Sequence, residues 1–111
     1  MEKNDFQIIL QKRIELIQNT LSTKGAEYIV GSDQFHNFVR AGQIMNCNKE
    51  KALVGFMMKH IVSVLDIVDN IEKKIPSEET IKEKIGDSVN YLIILEGMLL
   101  ERARNKVETI P

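Results

Sequence analysis

The chain contains a single cysteine, Cys47, so no internal disulfide can form and no thiolate cluster can hold a metal. Its place in a short connection between apolar segments suits an inert thiol. No apolar run approaches the ~18 residues that a membrane span requires. The opening MEKNDFQ lacks the basic-then-apolar order of a signal peptide, and the expected setting is cytoplasmic. An excess of one charge is also missing. The formal charge of −1 argues against general nucleic-acid binding, which favours a strongly basic face. There are no repeats, no low-complexity tracts and no sustained alternation of the kind that marks strands. What remains is ordinary for a soluble globular chain: 43% hydrophobic and 28% charged residues over 111 positions, enough for one domain with a marginal core.

The periodicity predicts an all-α, four-helix bundle-like single domain over residues 1–111, with helices at 5–21, 33–45, 49–73 and 79–104. In the first, Phe6, Leu10, Ile14, Ile17 and Leu21 form an apolar stripe, with Asn4 or Asp5 as the expected N-cap. The connection STKGAEYIVGSD (22–33) is longer than the roughly 2–8 residues that a bundle needs between helices. Long connections often carry function, which makes Lys24, Glu27 and Tyr28 candidate ligand contacts beside the plain reading of an irregular loop. The second helix should bury Phe35, Phe38, Val39 and Met45, and present Asp33, Asn37 and Arg40 on another face.

The third helix is expected to start at an Asn48 cap with Glu50 in its first turn, and to be central and buried, because Leu53, Val54, Phe56, Met57 and Met58 are apolar nearly all round. Lys59, Ser63 and Asp66 fall on a different side. A lysine inside so apolar a segment calls for an anionic partner. His60 lies at the edge of the apolar side, where a hydrogen-bonded core histidine is the commoner role than a catalyst. Pro76 ends the helix and Ser77 caps the next one, with Glu78 and Glu79 at its positive end.

The fourth helix carries Glu83, Asp87 and Asn90 within roughly 60° of one another, a strip that turns apolar through Ile94 and Met98. Ile85, Val89, Leu92, Leu99 and Leu100 cover the opposite side, so this helix is expected to be packed on most of its circumference. At about 39 Å it is longer than a compact chain of this size needs, which points to packing against a second subunit. Three helices therefore offer polar strips, Asp33/Asn37/Arg40, Lys59/Ser63/Asp66 and Glu83/Asp87/Asn90. They are either solvated faces with light salt-bridging, or the walls of a shared hollow in which carboxylates hold Mg²⁺ or Mn²⁺ and the cations hold phosphate.

The segments KGAEY (24–28), DQFHNF (33–38), KHIVSVLD (59–66) and EKIGDSVNYLIILEGML (83–99) together resemble the phage and prophage all-α proteins called nucleotide-modification-associated domains. These are similar in turn to the MazG and dimeric dUTPase superfamily of all-α nucleoside triphosphate pyrophosphohydrolases. The resemblance spans about residues 24–100. It implies a homo-oligomeric helical bundle, a small-molecule nucleotide as ligand, and the host cytoplasm as the setting of a phage-encoded chain. On it, Asp66, Glu83 and Asp87 would hold Mg²⁺ or Mn²⁺. Lys24, Glu27, Tyr28, Asp33, Asn37, Arg40, Lys59, His60, Ser63 and Asn90 would contact the nucleotide. The chain departs from the hydrolase pattern EELGD at Lys84, and offers only Asp66 and Asp69 in place of an ExxE pair. Two functions follow as expectations: Mg²⁺-dependent hydrolysis or modification of a (deoxy)nucleotide, or an oligomeric binder that sequesters a nucleotide, such as a host immune signal, uncleaved.

Overall fold

A computed structural model describes residues 1–24 and 35–109, with side chains described at 1–22 and 35–105. Among the described residues the chain is entirely helical, without strands. Helix α1 runs Lys3–Gln18 and continues as a π-helical turn, Asn19–Lys24; α2 is His36–Met45, α3 Lys49–Asp69 and α4 Glu78–Thr109. The third helix is shorter than its apolar pattern promised. After Asp69 the backbone amides of Lys73 and Lys74 both bond to the Asn70 carbonyl, a turn that leads into Pro76.

Local chemistry explains most of the boundaries. The Asn48 side chain accepts the Lys51 amide at 2.8 Å and starts α3. Ser77 does the same for α4, accepting the Thr80 amide at 3.1 Å, with Glu78 and Glu79 in the first turn. The cap expected at Asn4 or Asp5 is absent. Helix α1 begins earlier, at Lys3, with Glu2 in the cap position and no side-chain bond there. Between α2 and α3 the chain turns within three residues, through Asn46 at φ 58° and ψ 48°, a left-handed conformation that asparagine tolerates. That turn closes on Gly42, whose carbonyl accepts the Cys47 amide at 2.9 Å.

The core sits where α3 meets α4. Leu53 and Met98 are fully buried and Met57 nearly so, with Phe35, Phe38, Val54, Ile61, Tyr91, Ile94 and Leu95 packed around them. The strip that begins with Asp87 and Asn90 thus does enter a core at Ile94 and Met98. Helix α2 lies against α3, and Phe35 also reaches α4, its ring 3.2 Å from where a Cβ on Gly97 would stand. A clamp closes the far end. Arg102 donates two hydrogen bonds to the Glu50 carboxylate, one of 3.0 Å to Oε1 and a closer one to Oε2, while Lys49 lies 3.5 Å from Glu50 and 3.8 Å from Glu101. The guanidinium's hydrogen bonds hold the Glu50 carboxyl down at about 2. At the other end Arg13 of α1 donates to the Lys82 carbonyl at 3.0 Å and lies over Gly86.

Three packing expectations are corrected. Helix α3 is not enclosed within one chain, because Phe56, Met58, Val62, Leu65 and Val68 are all exposed. Helix α4 leaves Ile85, Leu92, Leu99 and Leu100 open, so Leu92 is no single-chain core residue. Met45 is exposed at the end of α2, and the apolar stripe of α1 is largely open too, bordering a groove of about 560 Å³ between α1 and the start of α4. The reason is geometric. Apolar periodicity marks which faces avoid water but does not name the partner, and the described helices of one chain leave these faces uncovered.

Candidate functional site

The polar residues that the structure brings together lie on the α3–α4 seam, on the N-terminal side of the buried Met98 of α4. His60 on α3 and Asp87 on α4 approach to 3.4 Å between Nδ1 and Oδ2. The His60 ring stacks on Tyr91, with centroids 5.2 Å apart and planes at 29°. Tyr91 in turn meets Phe38 of α2 edge to face at 6.3 Å, and Phe38 meets Phe56 in the same manner at 6.2 Å. Spacing makes this possible. Asp87 and Tyr91 are four residues apart on one face of α4, so a single histidine on the antiparallel α3 can touch both. Burial, reinforced by the negative charge of Asp87, raises the Tyr91 phenol above its ordinary value.

Asn90 adds an acceptor. Its Oδ1 is buried and has no hydrogen-bond partner among the described residues. A buried amide oxygen without a donor costs about 1–3 kcal/mol, so its presence beside a polar cluster wants a cause. Ser88 is also buried, but its hydroxyl donates to the Lys84 carbonyl at 3.1 Å and is satisfied. Ser63 likewise donates to the Lys59 carbonyl at 3.0 Å.

The other predicted residues are spread out. Glu83 projects into solvent with its side chain 63% exposed, 4.0 Å from Lys84. Asp66 is exposed and lines a separate open depression of about 330 Å³ with Asn70, Lys73, Lys74, Pro76 and Thr80. Lys59 is exposed, so water satisfies its ammonium and the anionic partner expected for it is not needed. On α2, Asn37 is exposed and Arg40 donates to Gln43 of its own helix at 3.1 Å. Glu27, Tyr28 and Asp33 lie outside the described residues, as does the Lys24 side chain.

Among the described residues no three His, Cys, Asp or Glu side chains gather closely enough to hold a metal ion. Asp66, Glu83 and Asp87 of one chain therefore do not form a divalent-cation site by themselves, and Asp87 is already engaged by His60. Sequence reasoning missed Tyr91 and Phe38 as part of the cluster. The available signal was the i, i+4 relation of Asp87 to Tyr91. The Glu50–Arg102 clamp was missed as well, since 52 residues separate its members. Comparison with known proteins finds no family model that this chain matches, no curated protein similar to it and no solved structure similar to its fold.

Proposed function

We propose that this chain is a nucleotide-binding protein acting as a homo-oligomer, with the nucleotide held at the α3–α4 seam around His60, Asp87, Asn90 and Tyr91. The observation that supports this reading most directly is the unpartnered Oδ1 of Asn90. A nucleobase N–H or a sugar hydroxyl is a donor of the kind that oxygen lacks, and a carboxamide pairs well with base edges. Lys59 and Arg40, both exposed and free of carboxylate partners among the described residues, are available to phosphate oxygens. Lys24, Glu27, Tyr28, Asp33, Asn37 and Ser63 complete the proposed contacts, in keeping with the resemblance to the nucleotide-modification-associated domains and the MazG-type hydrolases.

Sequestration is favoured over hydrolysis by one feature of the geometry. The carboxylates that would hold Mg²⁺ or Mn²⁺ point to different places, Glu83 outward and Asp66 to its own depression. Hydrolysis through a divalent cation would need ligands beyond these, and the proposed binding does not depend on one.

Calorimetric titration with a panel of ribo-, deoxyribo- and cyclic nucleotides, with EDTA and again with Mg²⁺, tests the reading. At least one should bind and be recovered intact, while recovery of cleaved product would favour the hydrolase instead. The nearly isosteric Asn90→Leu should weaken that binding tenfold or more, yet raise stability by about 1 kcal/mol by removing an unpaired buried acceptor. Absence of affinity for every nucleotide by the folded wild type would sink the proposal.

A further inference from the structure

The exposed apolar residues of α3 and α4 are not scattered. On α3, Leu65 lies about 180° around the helix from Phe56, the residue that faces α2, and Met58 and Val62 lie near Leu65. On α4, Leu92 and Leu99 lie about 140–160° from Gly97, the residue that faces Phe35. The two stripes therefore occupy the same side of the α3–α4 hairpin, the side away from α2. Leu65 is 55% and Leu99 52% exposed.

We propose that this two-helix face is where a second copy of the chain docks, about a two-fold axis level with His60; the inference deepens the homo-oligomer part of the proposed function. Size supports it. The chain exposes 8749 Å², against about 6,200 Å² expected for a compact monomer of 12.7 kDa. The excess, about 2,500 Å², to which the open stripe of α1 also contributes, leaves room for the roughly 1,000–2,500 Å² that each subunit of an obligate homodimer buries. The Cα radius of gyration of 16.9 Å likewise exceeds the roughly 13 Å of a compact domain this long.

Self-complementarity identifies the occupant. A two-fold pairing of α3 with its own copy runs antiparallel, so positions equidistant from residue 60 come opposite one another. Met58 then faces Val62 of the second copy. Lys51 and Asp69, both exposed and both on the stripe, face each other at its two ends, forming the same ion pair twice. Helix α4 fits the same axis. His60 and Asp87 fix the level of α4 against α3, which puts Leu92 beside Leu65 of the second copy. Met58 and Leu65 on α3, and Leu92 and Leu99 on α4, are each seven residues apart, as a heptad seam requires. A face built for an unrelated partner has no reason to satisfy its own symmetry.

The test is light scattering and sedimentation of the full chain at micromolar concentration. Wild type should be a dimer or a multiple of one. Leu65→Asp should shift it to monomer, whereas Ile44→Asp, at a more exposed site on α2, should not. Because a separated subunit could unfold, a charge exchange provides the second arm: Lys51→Glu should raise the dimer Kd roughly threefold or more, and Lys51→Glu with Asp69→Lys should restore it. A monomeric, folded wild type overturns both this face and the oligomeric reading. An oligomer indifferent to Leu65→Asp and to the charge exchange overturns this face alone. Failure of nucleotide binding bears on the ligand proposal and leaves the dimer face standing.

Discussion

Alanine at Gly42 and alanine at Gly86 should have different consequences, although each new Cβ would meet its nearest neighbour at 2.6 Å. At Gly42 the obstacles are backbone: the Cys47 carbonyl oxygen at 2.6 Å and the Asn48 carbonyl carbon and oxygen at 3.3 Å. None can move without opening the α2–α3 turn and stretching the Cys47 N–H bond to the Gly42 carbonyl. Overpacking of this kind costs about 1–3 kcal/mol and the weakened hydrogen bond about 1 kcal/mol. The gain in helix propensity is about 1 kcal/mol, which leaves a net loss of about 1–3 kcal/mol. At Gly86 the obstacle is the tip of Arg13, which can swing away. Losing its bond to the Lys82 carbonyl costs about 1 kcal/mol and the propensity gain offsets it, so Gly86→Ala should lie within about 0.5 kcal/mol of wild type. Urea unfolding at equal subunit concentration reads the difference, and thermal scans should show Gly42→Ala lower by about 4–8 °C per kcal/mol. A Gly42→Ala chain as stable as wild type, or a Gly86→Ala chain equally damaged, would refute the reasoning.

Met98 is fully buried against Leu53 and Met57, so Met98→Ala should cost about 2–5 kcal/mol in the same unfolding assay. The Glu50 carboxyl is depressed from 4.5 to about 2 by the Arg102 guanidinium, so its contribution is present above pH 4.5 and fades as pH falls toward 2. Stability measured from pH 6 downward should show a deficit in Glu50→Gln relative to wild type, and that deficit should close across the same interval.

Much of the fold was legible in the chain because helices are local. The apolar repeat and the Asn48 and Ser77 caps depend on residues within a turn or two of each other, and the structure has them in place, whereas α3 ends at Asp69, before Pro76 can end it. The α1 cap was misplaced because Asn4 and Asp5 are good caps by type, yet nothing in the structure stops the helix before them. The candidate site was legible in residue type more than in position. Asp87 and Asn90 were found from their strip, but that His60 rather than Glu83 joins Asp87 depends on how α3 lies against α4.

By itself the sequence determined that the described residues are helical, where the third and fourth helices begin, and which faces shun water. Only the tertiary structure decided which shunned faces cover one another. It set Leu53 and Met98 inside, left Leu65 and Leu92 outside, and closed Glu50 on Arg102 across half the chain. Periodicity is a property of one helix, whereas burial is a property of two, and the angle at which two helices meet is written in neither alone.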